Sequence, residues 1–310
     1  GYQLEGYQWL SGLQKNGFGG CLADDMGLGK TLQTLSLLLK LKRPKSDVKN
    51  PKFVSDDGQL GLFENFEDED DIQPASLIVL PTSLVHNWEA EVKKFTPSLK
   101  VYKHVGAQRK KEDELEQMVQ FYDVILTTYG TVRNDAAFLE KREFFYFILD
   151  ESQYVKNPSS KTYKALMKLK ARYRLVLTGT PIENSLSDLW AQMSFLNRGL
   201  LGNLAFFRRY FITPIEKHNQ EQAQEKLQIL IRPFILRRTK EEVAKDLPPL
   251  MEQVIFCEMA EEQQKIYERE KSVIRNSILV SVKEKGINRS SMLILQGLTK
   301  LRQLANDPAM

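Results

Sequence analysis

The segment from Gly20 to Thr31 constrains the fold more than any other part of the sequence. A short apolar run ends there in a glycine-containing turn, which leads directly into a leucine-rich segment with helical spacing. This order is typical of a phosphate-binding loop, in which backbone amides and the positive end of a helix surround a polyphosphate. Lys30 is predicted to reach the β- and γ-phosphates, and Thr31 to bind Mg²⁺ through its hydroxyl. Asp24 replaces the first glycine of the general G-x-x-x-x-G-K-[ST] pattern, so a turn that only caps a helix is the alternative.

Composition excludes several classes of protein. The chain has 310 residues and a net charge of +4, and its length suggests about two domains. The longest apolar run, from Phe144 to Leu149, is far shorter than the roughly 20 residues of a membrane span, so no membrane partner is predicted. The N-terminus shows no charged-then-apolar signal segment, so export is not expected. The two cysteines and three histidines lack metal-ligand spacing, which argues against a zinc site.

Downstream, strand-like apolar runs alternate with helical segments. The predicted strands after the loop are Leu77–Leu80, Lys100–Val105, Asp123–Leu126, Phe145–Leu149 and Arg174–Leu177, and helices are predicted near residues 84–94 and 112–120. Such alternation is typical of an α/β fold with a parallel sheet that is covered by helices on both faces.

Small hydroxylated, acidic or glycine-containing clusters follow these strands. Because ligands of open parallel sheets bind outside the carboxyl ends of the strands, these clusters are expected to share one edge with the loop. Asp150 and Glu151 directly follow a buried strand, where polar turn residues alone do not explain two adjacent carboxylates. Asp150 is predicted to bind Mg²⁺ opposite Thr31, and Glu151 to orient and deprotonate the attacking water of a nucleotide hydrolase.

Two regions depart from the α/β pattern. Residues 44–73 form an acidic segment that is predicted to be an inserted loop, and after about residue 197 the strand pattern stops. We therefore predict an ATP-binding lobe over residues 1–198 and a C-terminal helical attachment, a protrusion and connector, over 199–310. Its predicted helices are Leu204–Phe211, Gln220–Ile231, Glu258–Lys285 and Ser291–Ala305, with one further strand possible over Met251–Phe256.

The motifs together resemble the first motor lobe of the SWI/SNF-type ATPases, the double-stranded-DNA translocases of helicase superfamily two. Asp24-Asp25-Met26-Gly27-Leu28-Gly29-Lys30-Thr31 is close to that family's phosphate loop, including the aspartate in the glycine position. Tyr2-Gln3, Leu80-Pro81-Thr82-Ser83, Thr127-Thr128-Tyr129, Asp150-Glu151-Ser152-Gln153, Leu177-Thr178-Gly179-Thr180-Pro181 and Phe234-Ile235-Leu236-Arg237-Arg238-Thr239-Lys240 are similar to further family motifs in the same order. The resemblance implies a RecA-like fold of the P-loop NTPase class.

The resemblance also implies roles for individual residues. Gln3 would bind adenine, and Asp25, Met26, Gly27, Leu28 and Gly29 would surround the ATP phosphates with Lys30 and Thr31. Ser83, Thr127 and Thr128 would lie near the tracked DNA strand, and Gln153, Thr178, Gly179 and Thr180 would couple the two sites. Ser152 departs from the usual Ala or Gly, and Asp307 from a usual His.

The implied function is an ATP- and Mg²⁺-dependent translocase on double-stranded DNA that remodels chromatin or nucleoprotein. The implied partner is a second motor lobe, which this sequence does not include and whose arginines complete the ATP site. The 310 residues alone are therefore expected to bind ATP but to hydrolyse it poorly. Protein partners could bind the helical attachment, but its amphipathic pattern favours packing against the motor and linkage to the second lobe. The expected location is the nucleoid-associated cytoplasm for a bacterial protein, which is favoured, or the nucleus for a eukaryotic one.

Two alternatives belong to other functional classes. One is a lobe of an RNA or single-strand helicase, and the other is a nucleotide-binding scaffold that does not hydrolyse ATP. The intact Lys30, Asp150 and Glu151 argue against the scaffold, because a scaffold has no need of all three.

Overall fold

The computed structural model describes residues 1–42, 73–107, 109–110, 121–155, 157–179, 185–243 and 253–307. The chain divides into two compact units, Gly1–Leu247 and Pro248–Met310, which we call the sheet unit and the helical unit. The predicted helix over 112–120, Thr180 and nearly all of the acidic segment 44–73 lie outside the described residues.

The core of the sheet unit is a parallel sheet. Its described strands are β1 (Gly20–Leu22), β2 (Ser76–Leu80), β3 (Val101–His104), β4 (Val124–Thr128), β5 (Glu143–Asp150), β6 (Lys170–Leu177) and β7 (Ile235–Leu236). They are arranged in the order β3-β4-β2-β5-β6-β1-β7, and the paired strands are parallel throughout. The predicted parallel α/β fold is confirmed. The short strand β7, which pairs with β1, was not predicted from the sequence.

Helices connect the strands and continue after them. In the sheet unit they are α1 (Tyr2–Lys15), α2 (Lys30–Leu41), α3 (Val85–Phe95), α4 (Tyr129–Leu139), α5 (Lys161–Lys168), α6 (Leu186–Leu196), α7 (Leu204–Phe207), a π-helical segment (Arg208–Lys217), α8 (Glu221–Ile231) and α9 (Lys240–Val243). In the helical unit they are α10 (Glu261–Lys285) and α11 (Ile287–Asn306). Residues 253–256 have no regular secondary structure, so the strand prediction for Met251–Phe256 is wrong where the chain is described.

The sheet buries both faces, which explains why its strands have continuous apolar sequences. In β2, Leu77 and Val79 belong to a cluster with residues of α4, α5 and α6. The alternating residues Ile78 and Leu80 belong to a second cluster, with residues of α1, α2 and α3. Successive side chains of a strand point to opposite faces, so helices cover both sides of the sheet, as predicted.

The sheet unit extends beyond residue 198. Phe207, Leu227, Ile231 and Phe234 belong to the same buried cluster as β5 and α6, so the segment after residue 198 packs onto the sheet. The boundary between the two compact units lies after Leu247, not after residue 198. A functional division into a lobe over 1–198 and a protrusion and connector over 199–310 stays a prediction.

The helical unit is an antiparallel pair of helices. Gly286 separates them with a φ of 78°, a left-handed conformation that favours glycine. Near the free ends, Gln263 Nε2 donates to the Leu304 carbonyl at 2.9 Å, and near the turn the hydroxyls of Ser281 and Ser290 lie 2.9 Å apart. Among the described residues, no helix combines the length and the apolar character that a membrane span requires.

Candidate nucleotide-binding site

The loop between β1 and α2 has the backbone of an anion cradle. Gly27 and Gly29 adopt φ angles of 86° and 79°, where other residues are strained. A Cβ atom on Gly29 would lie 2.5 Å from the Gln3 side-chain nitrogen, so any other residue here would have to displace that side chain. Lys30 is the first residue of α2, so the amides of the first helical turn point towards the loop.

The side chain of Lys30 folds back over the phosphate loop that precedes it in the sequence. Its ammonium group donates hydrogen bonds to the backbone carbonyls of Asp24 at 2.6 Å and Asp25 at 3.2 Å. Burial lowers the pKa of Lys30, while the carboxylates of Asp150 and Glu151 act in the opposite direction. The structure therefore brings Lys30 within electrostatic reach of the acidic pair, although these residues are far apart in sequence.

Gln3 lies against the phosphate loop. Its side-chain nitrogen donates to the Leu28 carbonyl at 3.4 Å, near the upper limit for a hydrogen bond. Gln3 also lines an open groove of about 490 Å³, whose apolar lining includes Tyr7, Leu32 and Phe95. An apolar groove with an amide at its edge can accommodate a flat, polar-edged base.

The loop residues Met26 and Asp25 lie against other segments of the sheet unit. Met26 is 71% exposed, and a Cβ on Gly179 would lie 3.6 Å from its Cγ atom. The Asp25 carboxylate accepts a hydrogen bond from the Lys240 backbone amide at 3.0 Å. The predicted coupling residue Gly179 therefore lies beside the phosphate loop.

The acidic pair ends β5. The two carboxylate oxygens of Asp150 accept hydrogen bonds from the indole N–H of Trp88 at 2.7 Å and from the Glu151 amide at 2.9 Å. Burial raises the pKa of Asp150 to about 6, so this carboxyl group is mostly ionised at pH 7. Glu151 adopts a φ of 51°, which is uncommon outside glycine and is found preferentially at functional sites. Its carboxylate accepts from Gln153 Nε2 at 2.9 Å.

The donor set fits a magnesium ion. Thr31 offers a hydroxyl oxygen at the start of α2, and Asp150 offers an ionised carboxylate at the end of β5. Hard oxygen ligands of this kind, one or two from the protein with the rest from phosphate and water, are typical of Mg²⁺ bound to a nucleotide.

Asp24 has a structural partner that the sequence did not indicate. This fully buried carboxylate accepts hydrogen bonds from Arg238 Nε at 3.0 Å and Nη2 at 2.5 Å. Arg238 also donates to Gln33 Oε1 at 3.1 Å and to the Tyr2 carbonyl. We call Asp24, Gln33 and Arg238 the loop cluster. It joins the phosphate loop to α2, to the start of α1 and to the segment after β7, and it explains a carboxylate where other loops have glycine.

The three residues predicted to lie near DNA differ in accessibility. Ser83 is exposed, in a single 3₁₀ turn before α3. Thr127 is fully buried, and its hydroxyl donates to the His104 carbonyl at 2.9 Å. Thr128 is half-buried and caps α4, accepting a hydrogen bond from the Thr131 amide at 3.2 Å. In this conformation the Thr127 side chain does not reach the surface, so its contact with DNA would require movement.

Gln153 and Thr178 also lie at the carboxyl edge of the sheet. Gln153 is exposed in the 3₁₀ turn after β5, and buried Thr178 bonds through its amide to the Leu22 carbonyl at 3.2 Å. Ser152, the departure from the family motif, accepts a hydrogen bond from Gln192 Nε2 at 3.2 Å. The hydroxyl therefore has a partner in its buried position.

A phosphate loop and an acidic pair at one edge of a parallel sheet define the P-loop NTPase class. The chain belongs to the SNF2-related domain family, whose match covers residues 2–310. It is 37% identical over its whole length to YwqA of Bacillus subtilis, which is named as an ATP-dependent helicase/translocase, and covers 31% of that protein. It is 35% identical to the TATA-binding protein-associated factor MOT1 of Saccharomyces cerevisiae and covers 16% of it.

Solved structures give the same result for the fold. The SWI2/SNF2 ATPase core of Sulfolobus solfataricus in complex with double-stranded DNA superposes with a TM-score of 0.64 and 37% identity. The alignment covers 99% of this chain and 58% of that core. The RecA-like SWI2/SNF2 core fold is thereby confirmed. The chain spans about a third or less of the curated relatives and somewhat more than half of the solved core.

Proposed function

We propose that this chain is the ATP-binding first lobe of an ATP-dependent motor that translocates on double-stranded DNA and remodels nucleoprotein. The observation that carries the proposal is the position of the phosphate loop after β1 and of Asp150 and Glu151 at the end of β5, two strands away at the same carboxyl edge of the parallel sheet. The relationship to proteins named as helicase/translocases, and to a core solved with double-stranded DNA, supports the DNA motor.

Each candidate residue has a proposed task. Lys30 and the amides of residues 25–29 hold the phosphates, Gln3 contacts adenine, and Thr31 and Asp150 hold Mg²⁺. Bound Mg²⁺ would supply charge neutralisation on the phosphates. Glu151 orients the attacking water and accepts its proton. Gln153, Thr178, Gly179 and Thr180 connect this site to the DNA side, where Ser83, Thr127 and Thr128 are proposed to lie.

Lys30→Ala tests the nucleotide site in the 310-residue chain. We expect the dissociation constant of Mg·ATP, measured by calorimetry, to rise about 100-fold, because charge-assisted hydrogen bonds to phosphate are lost. Lys15→Ala, at an exposed position at the end of α1, is the control and is expected to bind as the wild type does. Equal affinities of the wild type and Lys30→Ala would refute the assignment of the loop.

The chain alone is expected to bind ATP but to hydrolyse it slowly, and duplex DNA is expected to stimulate it little. The physical reason is that SNF2-type sites are completed by arginines from a second lobe, which stabilise the charge that develops on the phosphate. Phosphate release with and without duplex DNA measures this. Robust DNA-stimulated turnover by the 310 residues would contradict it.

The choice of nucleic acid separates the proposal from a helicase for RNA or single strands. In a longer version with a second lobe, we expect ATP turnover to be stimulated most by duplex DNA. The measurement is phosphate release with duplex DNA, single-stranded DNA and RNA at the same salt concentration, because affinity for nucleic acid depends on salt.

The helical unit is a proposed site for protein partners. Its described helices expose large apolar side chains, including Val280, Ile287, Met292, Leu295 and Leu298. Exposed apolar surface of this kind is common where proteins contact each other.

The cellular location is part of the proposal. It is the nucleoid-associated cytoplasm if the protein is bacterial, or the nucleus if the protein is eukaryotic.

A further inference from the structure

Helix α3 contacts one of the two residues that are proposed to bind Mg²⁺. Trp88 donates its indole N–H to Asp150 Oδ2 at 2.7 Å. The bond joins α3 to the end of β5, where Asp150 is the last residue of the strand.

The Trp88 contact fixes the direction of the Asp150 carboxylate. Trp88 is 2% exposed and packs with residues of α2 and β2, so its indole has little freedom to move. The second oxygen of Asp150 accepts from the Glu151 amide at 2.9 Å. Because a carboxylate oxygen has two lone pairs, one N–H bond on each oxygen orients the group and still leaves electron pairs for a cation.

We propose that Trp88 is a positioning residue for the Mg²⁺ of the nucleotide complex, because it holds the Asp150 carboxylate in the orientation that a metal ligand needs. The inference rests on the proposed function, which assigns Thr31 and Asp150 to Mg²⁺. Hydrogen-bond partners of metal ligands typically contribute 10- to 100-fold to metal affinity. A residue that only packs in the core would change stability without changing the dependence on Mg²⁺.

The test is a Mg²⁺ titration of ATP binding by the 310-residue chain, with EDTA for the metal-free state. Trp88→Phe keeps an aromatic ring and removes the N–H. We expect the Mg²⁺ concentration at half-maximal effect to rise about tenfold, while metal-free ATP affinity changes less than twofold. Trp190→Phe is the matched control, because it removes an indole N–H bonded to the Gly202 carbonyl at 3.1 Å. Urea unfolding checks that each variant is folded.

The outcomes separate the inference from the proposed function. A wild-type chain that binds no ATP would overturn the proposed function and this inference with it. Wild-type binding with an unchanged Mg²⁺ dependence in Trp88→Phe would overturn the inference alone. Equal losses of affinity with and without Mg²⁺ would also overturn it, since they would indicate a general packing role.

Discussion

Arg238→Met is expected to lower the free energy of unfolding by about 3–5 kcal/mol, since breaking a buried ion pair leaves a charge without compensation. The charge left behind is that of Asp24, which is fully buried, and Gln33 loses a donor as well. Urea unfolding of the whole chain measures the loss. The double variant Asp24→Asn/Arg238→Met removes the buried charge and is expected to be more stable than Arg238→Met.

The adjacent arginine provides the control for this experiment. Arg237 is exposed, so Arg237→Met is expected to change the free energy of unfolding by less than about 0.5 kcal/mol. If Arg238→Met cost no more than Arg237→Met, the loop cluster would not stabilise the fold.

Alanine substitutions at two glycines of α1, Gly6 and Gly12, test the same loop cluster. A Cβ on Gly6 would lie 1.8 Å from Gln33 Oε1 and 2.7 Å from Arg238 Nη2, whereas a Cβ on Gly12 would have no neighbour within 4 Å. Alanine at Gly12 is therefore expected to stabilise the chain by about 0.5–1 kcal/mol through helix propensity. Alanine at Gly6 must displace the cluster and is expected to destabilise it.

The sequence predicted the parts of the fold that local patterns encode. Runs such as Leu77–Leu80 and Phe145–Leu149 are apolar at every position, which in an alternating α/β sequence indicates strands buried on both faces. Strand β7 has only two residues, Ile235 and Leu236, directly after a 3₁₀ turn that contains Pro233. It exists because it pairs with β1, so no local pattern could indicate it.

The candidate site likewise contains some residues that local sequence patterns indicate and others that depend on contacts between distant parts of the chain. Lys30, Thr31, Asp150 and Glu151 could be predicted because each follows a recognisable strand or opens a recognisable helix. The partner of Asp24 could not be predicted, because Arg238 is 214 residues away and reaches the loop only through the pairing of β7. The bond from Trp88 to Asp150 could not be predicted either, because the two residues are 62 positions apart in the sequence.

Glu151→Gln is expected to lower ATP turnover by about 10²–10⁴-fold in a longer version that also contains a second motor lobe. The amide keeps the volume of the side chain and can still contact Gln153, but it cannot accept a proton from water. ATP affinity is expected to stay within about twofold of the wild type. Calorimetry and phosphate release measure the two quantities separately.

A carboxylate on the same strand provides the control. Glu143 lies at the opposite end of β5, where it is exposed and accepts a hydrogen bond from Arg172 Nε at 3.1 Å. Glu143→Gln is therefore expected to leave turnover unchanged. Normal turnover by Glu151→Gln would show that another group is the general base.

The backbone at Glu151 gives this prediction a second readout. A residue other than glycine at a φ of 51° is strained by about 1–2 kcal/mol, and glycine removes that strain at the cost of greater freedom in the unfolded chain. Glu151→Gly is therefore expected to unfold at the same urea concentration as the wild type or a higher one, while its turnover falls as far as that of Glu151→Gln. Unchanged or greater stability together with lost turnover is the result expected if the Glu151 carboxylate serves hydrolysis and does not stabilise the fold.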